Sequence, residues 1–136
     1  MIADNADHDQ FITDHRWGVL TTLRIDGHPV SSVVAYARQQ DTVVISTPGT
    51  TFKRKSLDRD PRATLCIVTN QEPFNFVSIE GRVEVETTDL VANTRLVFQN
   101  IADSEYSEPD DLQAWLDAQQ RVIIRIHPDR VYGVIR

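Results

Sequence analysis

Cysteine is nearly absent from this chain: Cys66 is its only thiol, so no internal disulfide can form. Cys66 lies in the apolar run Ala63–Val68, which favours a small core residue over a nucleophile. The four histidines and the cysteine show no HxxxH or CxxC spacing, so no metal site is predicted. No apolar run approaches the roughly 18 residues of a membrane-spanning helix, and we expect a soluble protein.

Several common functional motifs are also missing. The sequence contains no GxGxxG, no GxxxxGK[ST] and no GxSxG, which argues against a Rossmann domain, a P-loop and a serine hydrolase. Its first ten residues lack the basic start and apolar stretch of a signal peptide, so we expect a cytoplasmic protein. Without repeats or a Pro/Gly/Ser-rich linker, residues 1–136 are predicted to form one domain.

Positive charge is scarce except in one segment. The net charge of −6 opposes binding to nucleic acid or to anionic lipid. However, five of the 14 basic side chains lie in the ten residues Lys53–Arg62. This local reversal of charge in an acidic protein is the most informative charge feature of the sequence.

The first half of the chain has the pattern of antiparallel strands. The segments Trp17–Ile25 and Val30–Ala37 flank Asp26-Gly27, a strong hairpin signal. A polar turn then leads to a third strand, Thr42–Thr47, which ends at Pro48-Gly49. We expect these three strands to form a meander, preceded by a short helix at His8–His15.

The second half alternates strands with short helices. Thr50 or Thr51 can cap a helix that passes Leu57 and stops before Pro61. Two strands, two helices with an acidic loop between them, and two closing strands follow: Arg62–Thr69, Asn75–Glu86 with a bulge at Gly81, Leu90–Asn100, Asp103–Asp111, Leu112–Gln120, Val122–Ile126 and Arg130–Ile135. These elements predict a small antiparallel barrel of the mainly β or α+β class.

The turn after the third strand is the candidate phosphate site. A helix N-terminus offers free backbone N–H groups, and here it carries the cations Lys53, Arg54 and Lys55. The alternative is a solvated basic helix that pairs with neighbouring aspartates. Hydroxyl groups occur nearby at Ser31, Ser32, Ser46 and Thr47; they line a groove if the second and third strands pair, and otherwise face solvent.

Three segments, in order, carry a resemblance to a known family: WGVLTTLRIDGHPVSSVVAY, VVISTPGTTFKRKSLDRDPRATL and FVSIEGRVEV, with an echo at HPDRVYG. They resemble the pyridoxamine-phosphate-oxidase-like split β-barrel proteins, and most of all the branch of flavin/deazaflavin oxidoreductases that use coenzyme F420. The K-x-x-x-L-x-x-D-P-R signature of that branch is present here as Lys53, Leu57, Asp60, Pro61 and Arg62.

The resemblance implies a six- to seven-stranded FMN-binding split barrel that forms a homodimer, with the cofactors at the subunit interface. It implies that Lys53 contacts the phosphate or anionic tail, assisted by Arg54 or Lys55, and that Ser46 and Thr47 lead into this turn. Thr51 stands where some relatives carry an arginine. The segment Val30–Val34, which includes Ser31, Ser32 and Val33, is expected along the edge of the tricyclic ring, with its backbone groups and Ser32 supplying hydrogen bonds.

The function implied is an F420H2-dependent reductase that acts on an unsaturated small molecule. FMN is the alternative cofactor, which makes an FMN-dependent oxidoreductase the second hypothesis. A protein that binds F420 or flavin without turnover is the third. No side chain is assigned as an obligatory catalytic acid, because the cofactor supplies the redox chemistry.

Overall fold

The computed structural model describes residues 1–136, which form seven strands and four short helices. In chain order these are α1 Ala6–Asp14, β1 Trp17–Leu23, β2 Pro29–Ala35, β3 Ala37–Gln39, β4 Thr42–Pro48, α2 Phe52–Arg59, β5 Arg62–Val68, β6 Phe76–Glu86, α3 Val91–Asn100, α4 Leu112–Ala118 and β7 Arg121–Val134. The longest helix has ten residues, and none has the length and apolar character needed to cross a membrane.

All seven strands join one antiparallel sheet in the order β2-β1-β5-β6-β7-β4-β3. The sheet curls so that the edge strand β2 contacts β4 without a hydrogen-bonded ladder between them. The predicted antiparallel barrel is therefore confirmed, and it is open between β2 and β4. The bulge expected at Gly81 is confirmed by a register shift between Glu80 and Gly81.

The predicted meander of three strands is wrong, because the second strand is interrupted at Tyr36. Tyr36 is fully buried, its hydroxyl donates to the carbonyl of Ile12 at 2.5 Å, and its N–H donates to the carbonyl of Arg16 at 3.1 Å. These bonds to the end of α1 and the segment after it divide the strand into β2 and β3. Only the short β3 pairs with β4, so the second and third predicted strands do not share a ladder.

The C-terminal segment also differs from the prediction of two separate strands. β7 is continuous over 14 residues and pairs with both β6 and β4. The register shift pairs Glu80 with Arg130 and Gly81 with Pro128 and leaves Asp129 of β7 without a partner, so β7 passes through proline without breaking. This long central strand carries its first residue, Arg121, to the end of β4.

The apolar side chains form two clusters on opposite faces of the sheet. One fills the barrel and includes Ile45, Leu65 and Ile124, all fully buried. The other lies between the outer face of β4 and β7 and the two helices α3 and α4, and includes Val44 and Ile123. Because α3 and α4 cover only part of that outer face, a cleft remains beside them.

Candidate functional site

The segment between β4 and α2, residues 48–55, is here called the basic turn. Thr51 occupies the predicted N-cap position, but its hydroxyl donates to the carbonyl of Pro48 at 2.9 Å instead of capping the helix. The backbone N–H groups of Phe52, Lys53 and Arg54 consequently have no acceptor in the protein. Three free N–H groups at a helix N-terminus form a site for an anion.

Two cations lie close together beside these free N–H groups. Lys53 is half-buried, and its pKa is lowered first by burial and then by the positive charge of Arg121. Burial also lowers the pKa of Arg121. Neither side chain forms an ion pair with a carboxylate. Two neighbouring cations without a counterion are electrostatically unfavourable in the free protein, and a bound anion relieves that cost.

Arg121 reaches the basic turn through strand pairing. The register of β4 and β7 places Arg121 opposite Pro48, and its Nη1 donates to the carbonyl of Ser46 at 3.3 Å. Its guanidinium lies 4.2 Å from the ring centroid of Trp115, in a cation–π contact. The sequence offered no signal for Arg121, because its closeness to Lys53 depends entirely on this register.

The other predicted residues of the basic turn play different parts. Arg54 Nη1 donates to the carbonyl of Gly49 at 3.1 Å, and its Nε lies 3.1 Å from the carboxylate of Asp58. Arg54 is thus partly neutralised and holds the turn together. Lys55 is exposed, whereas Thr47 is buried with its hydroxyl 3.3 Å from that of Thr51. Lys53 is therefore the half-buried lysine of this turn, and its charge interacts with that of Arg121.

A cleft of about 480 Å³ adjoins the basic turn through Arg121, which is the only charged residue in its lining. This volume lies within the range of small-molecule sites. Its walls are mainly apolar and come from β1, β2, β4, β7, the two outer helices and the loop before α4: Trp17, Val33, Val34, Ala35, Ser46, Thr94, Val97, Phe98, Ile101, Tyr106, Ser107, Pro109, Trp115 and Arg121. The site therefore has a cationic end and an apolar body.

Two polar atoms in the walls of the cleft have no partner. The hydroxyls of Ser46 and Thr94 are buried, and neither makes a hydrogen bond within the protein. Ser46 was predicted from the sequence, whereas Thr94 was not, since a threonine within an apolar helix pattern gives no functional signal.

The predicted residues of β2 are only partly brought to this site. Val33 lines the cleft with its side chain 74% exposed, so Val33 and Ser46 do share one groove. Val30 and Ser32 are half-buried and lie outside the cleft, on the face of β2 that points toward the barrel core. Ser31 is exposed, with its hydroxyl 2.9 Å from that of Thr21.

Ionisable side chains elsewhere do not suggest a metal centre. No three or more histidine, cysteine, aspartate or glutamate side chains come together in an arrangement that could hold a metal ion. The cationic end of the cleft is the feature with the clearest ligand chemistry.

Comparisons with known proteins identify the family and the fold of the chain. The family model described as "Pyridoxamine 5'-phosphate oxidase" matches residues 5–135, and no curated protein sequence matches the chain. Among solved structures, the conserved hypothetical protein Rv2991 from Mycobacterium tuberculosis is similar with a TM-score of 0.76 and 24% identity. The match covers 96% of this chain and 84% of that one.

Two further structures carry cofactors in their names. A protein described as an F420 reductase is similar with a TM-score of 0.73 and 18% identity, over 91% of this chain and 94% of that chain. A FAD-binding protein from Mesorhizobium loti has a TM-score of 0.71 and 20% identity, over 96% and 94%. At these identities the structural likeness establishes the split-barrel fold alone.

Proposed function

Because the chain belongs to the pyridoxamine 5'-phosphate oxidase family, we propose that it binds coenzyme F420 and is an F420H2-dependent reductase of an unsaturated small molecule. The anionic tail of the cofactor binds at the basic turn, and its flat ring enters the adjoining cleft. When bound, the reduced deazaflavin supplies a hydride to the acceptor. The likeness to an F420 reductase supports the choice of this cofactor.

The observation that carries the proposal is the unpaired cation pair at the cationic end of the cleft. Strand pairing places Arg121 opposite Pro48 of the basic turn, near enough for its charge to lower the pKa of Lys53; neither cation pairs with a carboxylate, and three backbone N–H groups of the same turn lack acceptors. A phosphate or carboxylate tail satisfies all of these groups together, through charge-assisted hydrogen bonds. The residues present therefore fit an anionic cofactor.

The remaining walls of the cleft suit a planar ring and its acceptor. Trp17, Val33 and Trp115 offer flat or branched apolar surfaces, which exclude water from the space that they enclose. The ionisable side chains on these walls are Arg121 and Tyr106. We assign neither as an obligatory acid, so the chain acts by binding, orienting and shielding the reactants.

FMN is the second candidate cofactor, and the same observations favour it. Its single phosphate also fits Lys53, Arg121 and the free N–H groups, and one similar structure is a FAD-binding protein. The cationic end of the cleft accepts either tail, so binding measurements must separate the two.

We also propose a homodimer formed through the outer face of the sheet. Two adjacent rows of mainly apolar side chains cross this face, here called the outer patch. One row contains Val33, Val19, Cys66 and Tyr132, with Ser78 between the last two, and the other contains Ala35, Trp17, Val68, Phe76 and Val134. Several are well exposed, including Val33 at 74% and Tyr132 at 40%. An exposed apolar surface of this kind is typical of a protein interface.

The outer patch adjoins the cleft, since Trp17 and Val33 belong to both. A second copy bound there would border the cofactor. Sedimentation velocity tests the interface: Val68→Glu is expected to convert a dimer to monomers, whereas Ile25→Glu, at an 87% exposed position outside the patch, is expected to leave it dimeric. A monomeric parent protein at micromolar concentration would contradict the proposed homodimer.

Calorimetric titration with F420 and with FMN, each at low and high salt, tests the proposed cofactor. Lys53→Ala is expected to weaken F420 binding by about 1.5–3 kcal/mol, the value of a charge-assisted hydrogen bond. Arg59→Ala is the control, because it also removes one positive charge from α2, but from its last turn. If both variants lose the same affinity for F420, the effect comes from net charge alone, and the support for a specific site at Lys53 is removed.

The outcome of the titration decides among the hypotheses. Selective F420 binding followed by oxidation of F420H2 in the presence of quinone or enone acceptors supports the reductase. Selective FMN binding favours the flavin-dependent oxidoreductase. Tight F420 binding without oxidation by any acceptor indicates a cofactor-binding protein, and binding of neither cofactor rejects the proposal.

A further inference from the structure

The two unpaired hydroxyls of the cleft come from different elements. Thr94 lies at the end of the first turn of α3 and is 0% exposed, while Ser46 lies on β4 near the cationic end. Both residues line the same cleft, and neither hydroxyl has a hydrogen-bond partner within the protein.

A buried hydroxyl without a partner is unfavourable, because it has lost water and gained nothing in return. Most buried polar atoms in proteins are paired, so an exception calls for a physical reason. The side chains around Thr94 in the cleft include Val97, Phe98 and Ile101, which offer no side-chain hydrogen bond. A ligand group that enters the cleft is therefore the natural partner for both hydroxyls.

The shape of the cleft restricts the ligand further. Its walls are mostly apolar and include two indole rings, so the body of the ligand is flat and apolar. Each hydroxyl can donate one hydrogen bond and accept another. The matching ligand edge therefore carries carbonyl oxygens or a ring N–H.

We propose that Thr94, together with Ser46, binds the hydrogen-bonding edge of a flat conjugated ring in the cleft. Thr94 is then a specificity residue for the ring, separate from the residues that hold the anionic tail. This inference rests on the proposed function in one respect: the ring of a flavin or deazaflavin has such an edge. Its test uses a ring without a tail, so the two proposals can fail independently.

Removing the hydroxyl of Thr94 is expected to have opposite effects on protein stability and on ligand binding. Thr94→Val keeps the branched shape and similar helix propensity but removes the unpaired hydroxyl. In the free protein this substitution removes no hydrogen bond, so the unfolding midpoint is expected to stay the same or rise. In the complex one hydrogen bond is lost, so ligand binding weakens.

The probe is lumichrome, a flat tricycle with a carbonyl and N–H edge and no phosphate, followed by the quenching of tryptophan fluorescence or by calorimetry. Binding is expected to weaken about five- to tenfold in Thr94→Val, and similarly in Ser46→Ala. The control is Ser56→Ala, which removes an equally buried and unpaired hydroxyl that lies outside the cleft. That variant is expected to bind lumichrome like the parent protein.

A second probe separates hydrogen bonding from shape. Phenazine is a tricycle without carbonyl or N–H groups at its outer edge, and it is expected to bind the parent protein and Thr94→Val alike. Equal weakening of phenazine and lumichrome, absence of lumichrome binding to the parent protein, or a lowered unfolding midpoint of Thr94→Val would each overturn the inference. Lumichrome binding that depends on Thr94, together with no binding of F420 or FMN, would keep this inference and reject the proposed cofactor.

Discussion

The stability effect of removing the charge of Lys53 is expected to depend on Arg121. Lys53 makes no ion pair, and the positive charge of Arg121 contributes to lowering its pKa. Lys53→Met therefore removes a repulsion in the free protein, whereas the same substitution in an Arg121→Met background has no repulsion to remove. We expect Lys53→Met to be neutral or stabilising in the first case and neutral or slightly destabilising in the second.

The magnitude follows from the exposure of the two side chains. Both are half-buried, so the coupling is expected to resemble that of partly exposed charge pairs, about 0.5 kcal/mol. Arg121→Met has a separate cost of about 1 kcal/mol, since it removes the cation–π contact with Trp115 and the bond to the carbonyl of Ser46. A double-mutant cycle cancels this separate cost and leaves the repulsion.

Binding is expected to move in the opposite direction from stability. Each single variant loses one charge-assisted contact to the anionic tail, so affinity for F420 falls about 10- to 150-fold. Urea unfolding of the four proteins gives the coupling, and calorimetric titration gives the affinities. Additive unfolding energies combined with unchanged affinities would refute the assignment of these two cations as an anion site.

Three further predictions concern the scaffold. The hydrogen bond from Arg38 holds the pKa of Asp9 at about 2, below the ordinary 3.8, so this ion pair stabilises the fold above that range. About 1–2 kcal/mol is expected to be lost as the pH falls from about 5 to 2, and urea unfolding of Asp9→Asn should lack that loss. Gly81→Ala is expected to destabilise by about 1–3 kcal/mol in the same assay, because its Cβ would clash with the backbone carbonyl oxygen of His127. Tyr36→Phe is expected to lower the unfolding energy by about 0.5–1.5 kcal/mol, since it removes the buried bond to α1; an unchanged midpoint would contradict the role given to that bond.

Much of the fold could be predicted because its signals are local. The Asp26-Gly27 hairpin joins β1 and β2 as expected, with Gly27 at φ +85°. The helix α2 ends at Arg59, before Pro61, because the residue before a proline disfavours helical dihedrals. The errors occurred where a distant contact decided the outcome: Tyr36 binds α1 and breaks a strand, and the register shift at Gly81 carries β7 past Pro128.

The residues of the candidate site also fall into two groups, those that the sequence predicts and those that only the fold brings together. The sequence by itself determined the basic turn, because Lys53 and a helix N-terminus are adjacent in the chain and need no long-range contact to come together. Only the tertiary structure decided that Arg121 is the second cation and that Thr94 lines the cleft. Arg121 depends on the register between β4 and β7, and Thr94 on the packing of α3 against the outer face of the sheet. A strand register moves every side chain on it at once, so pairing across more than 70 residues sets the chemistry of this site.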